Sequence, residues 1–191
     1  MISNNDVVLV NEKDEPLGTM EKMAAHKGEG KLHRAISVWI IRNKSQVTRN
    51  KIKNIREIEV LITKRSSKKF LWPNFWSNTV CSHPKEGESY KDAGERRAFE
   101  EVGIKTELGH LYTFEYKEKY KDTGSEHEMT GVLIGTYDGQ IRPHPDEISD
   151  YRWVSWRELT RWSKREKEKF TPWFFMEMKE LSKEKYKKYF R

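Results

Sequence analysis

Among the 191 residues there is a single cysteine. An internal disulfide framework is therefore excluded, and one lone thiol fits a reducing compartment. Long apolar runs are also missing, since nothing approaches the roughly 18 residues that a membrane span needs. The opening Met-Ile-Ser-Asn-Asn-Asp has neither a basic start nor an apolar stretch, so a secretory leader is not expected. Apolar residues are scarce at 35%, no more abundant than charged ones. Such a balance alone would suit a disordered chain, but 7 Trp, 8 Tyr and 8 Phe exclude it, because disordered segments are poor in aromatics. The expectation is a soluble, cytoplasmic, single-domain protein over 1–191, long enough to bury a core.

Charge is uneven within the net +7. Residues 42–56 hold six Lys or Arg and no acid, and residues 161–191 hold eleven Lys or Arg against five Glu. The remainder is mildly acidic. A basic total can signal nucleic acid, but an excess confined to one loop-like segment and one C-terminal stretch reads first as solvated positive surface.

Val7–Val10 and Arg34–Arg42 read as strands, the second with Ile36, Val38 and Ile40 alternating against Ala35, Ser37 and Trp39. Ile58–Thr63 is a further β-branched run, which leaves 43–57 as a long basic connection between two strands. Ser89-x-x-Asp92 resembles a capping box opening a helix through Val102, closed by Gly103. Leu108–Tyr116, Met129–Tyr137 and a short Trp153-Val154 segment read as strands, and Ser155-x-x-Glu158 caps another helix. Thr171-Pro172 starts a last, basic helix over 171–191. Strands around a central helix with a helical C-terminus make an α/β sandwich.

Three histidines and an acidic pair stand out. His26 and His33 flank a Gly/Lys loop, His83 follows the only cysteine, and Glu126 and Glu128 alternate so that both point to one side of a strand. His127 points the other way. Together the five make a mixed N/O donor set suited to Zn²⁺, Mn²⁺ or a similar ion, although their spacing is no local motif. Cys81 reads either as a small buried hydrophobe or, beside a metal ligand and ahead of Pro84, as an acid, base or nucleophile.

The run Ser82-x5-Glu88-x7-Arg96-Arg97-Ala98-Phe99-Glu100-Glu101-Val102-Gly103-Ile104 resembles the Nudix box, Gly-x5-Glu-x7-Arg-Glu-apolar-x-Glu-Glu-x-Gly-apolar. Such a helix presents carboxylates at i, i+3, i+4 spacing to a Mg²⁺ held against a diphosphate. Ser82 replaces the first glycine, and Arg97 puts a cation where hydrolases place a metal-binding acid. With a cysteine immediately before it, the altered box resembles type 1 isopentenyl-diphosphate isomerases. Glu21-Lys22-x3-His26, Leu32-His33-Arg34-Ala35, Lys64-Arg65-x3-Lys69, Trp72-Pro73, Asn78-Thr79-x-Cys81-Ser82-His83-Pro84, Glu126-His127-Glu128 and Thr171-Pro172-Trp173-Phe174 occur in that family's order. The resemblance covers nearly the whole chain; the 43–57 segment is longer than is usual there.

The resemblance implies a Nudix-type α/β/α sandwich with a mixed sheet, and isomerisation of isopentenyl diphosphate to dimethylallyl diphosphate. It implies Cys81 and Glu128 as the acid/base pair, Tyr116 hydrogen-bonded to the Glu128 carboxyl, and Trp173 facing the carbocation. Lys22, Arg65, Lys69, Ser82 and Arg97 would hold the diphosphate. His26, His33, His83, Glu126 and Glu128 would bind one divalent ion (Mn²⁺ or Zn²⁺), and Glu101 would reach the diphosphate through Mg²⁺. The implied partner is a small prenyl diphosphate, with no nucleic acid and no membrane span, on a monomer or weak dimer. Two other readings stay open at this point. A Nudix diphosphohydrolase would share the fold but need no Cys81 and would favour an acid at Arg97. A nucleic-acid-binding module would use the basic segments and be indifferent to Cys81.

Overall fold

A computed structural model describes residues 6–45 and 56–190. In chain order the strands are β1 (Asp6–Val10), β2 (Pro16–Glu21), β3 (His33–Ser45), β4 (Arg56–Arg65), β5 (Trp76–Ser77), β6 (Val80–Ser82), β7 (Gly109–Tyr120), β8 (Gly124–Thr136) and β9 (Ile148–Ser155). The helices are α1 (Lys22–Ala25), α2 (Tyr90–Val102), α3 (Trp156–Arg165), α4 (Pro172–Leu181) and α5 (Lys187–Phe190).

The sheet is built on β3. One edge pairs in parallel with β8, from His33 opposite Glu128 to Ile41 opposite Thr136. The other edge is shared by three strands in succession: β1 at His33, β6 at Ile36–Val38, and β4 from Ile40 onward. Beyond Leu61, β4 leaves β3 and pairs with β5 instead, while β9 covers its outer edge. The segment 76–82 is thus wedged where β3 and β4 diverge. Thr79 bridges that gap, its Oγ1 accepting from Ile40 N at 3.0 Å and donating to the Leu61 carbonyl at 2.6 Å. A buried polar side chain replaces the missing ladder bonds, as burial requires.

Alternation on β3 sorts two cores. Ile36, Val38 and Ile40 pack with Ala93, Ala98 and Val102 of α2, while Trp39 and Ile41 pack with Leu159, Phe174 and Leu181 of α3 and α4. The mixed sheet with helices on both faces is the expected α/β/α arrangement. Ser89 caps α2 by accepting from Asp92 N, and Gly103 closes it in the left-handed conformation at φ 72°. Ser155 caps α3 in the same way through Glu158 N.

Four expectations need correction. The connection 43–57 is shorter, because β3 runs on to Ser45 and β4 begins at Arg56; the remaining 46–55 lie outside the described residues. The 171–191 helix is not continuous. It stops at Leu181, where the Ser182 hydroxyl bonds back to the Met178 carbonyl at 2.6 Å. A change of direction then lets Tyr186 and Phe190 reach the core, with Phe190 4.2 Å from the Trp156 ring centre. Thr171 precedes α4 without a side-chain cap, its hydroxyl being engaged by Ser77 Oγ at 3.0 Å. The Trp153-Val154 strand is the centre of the longer β9.

Candidate active site

His33 begins β3 and faces Glu128 across the parallel ladder, so pairing of two strands sets one imidazole against one carboxylate. Glu126 shares that face of β8, and His127 on the other face pairs with Glu115 at 3.0 Å. His26 closes α1, a single turn whose first amides are capped by the Glu21 carboxylate. The chain can bring His26 against β8 because residue 124 is glycine. A Cβ there would lie 2.3 Å from the His26 carbonyl oxygen. His83 follows β6 and completes the group. One ligand atom from each of His26, His33, His83, Glu126 and Glu128 lies within 4.8 Å of all the others.

The tautomers favour a cation at that point. His26 Nδ1 donates to the Lys22 carbonyl at 2.6 Å and His33 Nδ1 to the Lys31 carbonyl at 2.7 Å. A carbonyl only accepts, so in the neutral rings both Nε2 lone pairs are turned inward. Burial drives His33 down to about 4 and lowers His83 too, which keeps these rings neutral and free to bind a metal at neutral pH. His33 Nε2 has no hydrogen-bond partner. Glu126 Oε2 lies 2.8 Å from His26 Nε2 yet accepts no well-directed bond. Orphaned lone pairs converging in a buried pocket fit a divalent metal ion. Burial and the neighbouring Glu126 charge raise the Glu128 carboxyl well above its usual range.

Beside this cluster is a cavity of about 350 Å³ lined by Cys81, Tyr116, Glu128 and Trp173, with Lys22, Arg65, Lys69 and Ser82 also on its wall. Tyr116 donates to Glu128 Oε2 at 2.6 Å. The Cys81 thiol donates to Asn78 Oδ1 at 3.0 Å, and Trp173 Nε1 approaches the sulfur at 3.3 Å. Burial pushes that thiol up to about 12. Burial and then the Lys69 charge lower Lys22, as befits a cation that lacks enough anionic partners. Arg65 donates to the Trp72 and Leu71 carbonyls at 3.1 and 2.9 Å, with its guanidinium 5.4 Å from the Trp173 ring centre.

Arg97 lines a smaller adjoining hollow, together with Lys22, Ser82 and His83. Glu101 stands outside the five-residue cluster, accepting from Arg97 Nη2 at 2.6 Å. Glu147 is the residue sequence reasoning missed. It pairs with Lys69 and, at 3.0 Å, with Arg97, and these cations hold its carboxyl down to about 2 against the opposing effect of burial. Pro145-Asp146-Glu147 carries no motif, so only the fold places it there. A larger cleft of about 880 Å³ between β9 and α3 is lined by Arg152, Arg161 and Trp162. It holds none of the grouped ligands.

Residues 31–174 match the NUDIX domain family. The chain is 38% identical over 178 residues to isopentenyl-diphosphate Delta-isomerase 1 of Photorhabdus laumondii, covering 92% of this chain and 94% of that one. It is 37% identical over 169 residues to isopentenyl-diphosphate Delta-isomerase of Pectobacterium atrosepticum, covering 88% and 87%. A solved structure from Deinococcus radiodurans superposes with a TM-score of 0.63 at 21% identity, over 84% of this chain and 90% of the other. A Nudix hydrolase from M. smegmatis superposes at 0.54 and 14% identity, over 94% and 92%. These two likenesses show the fold. Identity at the level of the first two relatives, sustained across almost the full length of both chains, shows more: the chain belongs to the isopentenyl-diphosphate isomerases that carry a NUDIX domain.

Proposed function

We propose that the chain converts isopentenyl diphosphate to dimethylallyl diphosphate for isoprenoid biosynthesis, with Cys81 and Glu128 as the acid/base pair. The observation that carries this reading is one cavity lined by Cys81, Tyr116, Glu128 and Trp173 and walled by Lys22, Arg65 and Lys69. An isolated alkene is a poor base, so protonation demands a well-placed acid in a dry pocket. A proton delivered to C4 takes up the π electrons and leaves a tertiary cation at C3. Loss of a proton from C2 leaves the C2–H bonding pair behind, and that pair fills the vacancy at C3 as the new C2=C3 double bond. One of Cys81 and Glu128 gives the first proton and the other takes the second, so atoms and charge balance. Trp173 supports the intermediate, since a desolvated cation–π contact is worth roughly 2 kcal/mol.

Lys22, Arg65, Lys69 and Arg97 neutralise the diphosphate, with Ser82 as a hydrogen-bond donor. Arg offers two-pronged contact and Lys a point charge. Binding requires Lys69 and Arg97 to exchange Glu147 for phosphate oxygens. His26, His33, His83, Glu126 and Glu128 would hold one divalent ion, Mn²⁺ or Zn²⁺, and Glu101 would serve a Mg²⁺ that accompanies the diphosphate. The first ion would supply positive charge that lowers the proton affinity of Glu128. Arg97, where hydrolases carry an acid, argues against diphosphate cleavage.

The test is incubation of the metal-loaded protein with isopentenyl diphosphate and Mg²⁺, following product by proton NMR. Appearance of the allylic isomer without phosphate release is expected. Phosphate release without isomer would make the chain a hydrolase.

A further inference from the structure

Glu177 of α4 is fully buried on the face of the sheet turned from α2, one helical turn beyond Trp173. Its Oε2 accepts from Ser37 Oγ at 2.6 Å and Trp39 Nε1 at 2.5 Å, whereas Oε1 has no partner. A carboxyl half-satisfied in an apolar core is costly, and a hydrocarbon would be cheaper there. The cost points to a use.

The bonds continue from Ser37. Because that hydroxyl gives its proton to Glu177, its lone pairs face Asn78, and Asn78 Nδ2 donates to it at 2.8 Å. The same amide donates to the Val38 and Val80 carbonyls, both at 3.0 Å. With every donor committed on one side, Asn78 Oδ1 is turned to the other, where it accepts from Ser77 Oγ at 2.9 Å and from the Cys81 thiol at 3.0 Å. The direction of each bond follows from the one before it.

We propose that Glu177, acting through Ser37 and Asn78, is a positioning residue for the isomerisation: with the Val38 and Val80 carbonyls it holds the Asn78 amide in place, and so sets where the Cys81 S–H points. This rests on the role assigned to Cys81 above. Glu177 touches no wall of the cavity, and its Oε2 accepts the same two bonds whether the carboxyl is neutral or ionised. Remove the acceptor, and the Ser37 hydroxyl must turn toward Asn78, setting O–H and Nδ2–H donors against each other. The amide is then held by the Val38 and Val80 carbonyls alone, with a donor pressed against it on the third side, and shifts from its place beneath the thiol.

Cys81 is the only cysteine, so the S–H stretching band in the Raman spectrum reports this thiol alone. In the wild-type protein the band should lie at the lowered frequency of a hydrogen-bonding thiol. Glu177→Met should move it toward the free-thiol position and lower kcat at least tenfold, with KM for isopentenyl diphosphate within threefold. Glu177→Gln, which restores an acceptor oxygen, should recover the band and most of the lost turnover. If the Met variant does not fold, Ser37→Ala breaks the same chain and should shift both readouts in the same direction. A free-thiol band in the wild type, or a folded Met or Ala variant in which either band or kcat is unmoved, overturns the proposal. Failure of the Cys81 role would show separately, as full turnover by Cys81→Ser with the wild-type band in its expected place.

Discussion

The carboxyl of Glu177 is raised to about 7 by burial, only partly opposed by the Ser37 and Trp39 hydrogen bonds. A raised carboxyl binds its proton more tightly folded than unfolded. Its contribution to stability is therefore complete below the unfolded value near 4.5 and is lost as pH climbs to about 7. Across that window the wild type should lose roughly 3 kcal/mol relative to Glu177→Gln, which carries no titrating group there. Urea melts of both proteins at pH 4.5 and pH 8 would check this, and parallel pH dependence would contradict it. Residue types told much of the site in advance: a lone cysteine, three histidines and an alternating Glu pair are conspicuous in the chain. Glu177 was not, and Asn78 stood in a motif that gave it no role, because the proposed part of each depends on how an amide and a hydroxyl face. Glu147 was invisible for a related reason, since an acid matters there only once Lys69 and Arg97 are beside it.

At the level of elements, β3, β4, β8 and α2 were legible because each has a full period of apolar residues or a cap. The short strands β2, β5 and β6 were not. Pro16–Glu21 is mostly exposed and so lacks alternation, and 76–82 pairs through a split in the sheet that no local pattern announces. Yet that wedge carries Ser77, Asn78 and Cys81. The join of α1 to β8 makes its own prediction. Because a Cβ at 124 would meet the His26 carbonyl oxygen, and Ser125 N donates to the same oxygen at 2.9 Å, Gly124→Ala must move the backbone of one proposed ligand. Affinity for Mn²⁺ or Zn²⁺, measured by calorimetry, should fall about tenfold or more while the fold persists. Unchanged affinity would mean that His26 is not a ligand.

On the scale of the molecule, the site lies toward the start of β3, which runs on from there to Ser45. From Ser37, opposite Cys81, to Ser45 is eight residues, or roughly 26 Å of strand. Replacing 46–55 by a two-residue turn should leave isomerisation within about threefold, and a folded variant that has lost turnover would tie that segment to the reaction. The proposed ligands come from α1, β3, β6 and β8 or the residues next to them, so saturating Mn²⁺ or Zn²⁺ should raise the melting temperature. At a hundred times the dissociation constant the gain is about 2.7 kcal/mol. A Glu126→Gln/His83→Ala double variant should show little of this rise, and an undiminished rise would place the ion elsewhere. The central claim is that Cys81 handles a proton of the substrate. Serine nearly keeps the shape of cysteine but is a far weaker acid, and it leaves Lys22, Arg65, Lys69 and Arg97 untouched. The measurement is the rate at which metal-loaded Cys81→Ser forms dimethylallyl diphosphate from saturating isopentenyl diphosphate. It should fall by about a hundredfold or more with KM little changed, and turnover at the wild-type rate would contradict the account.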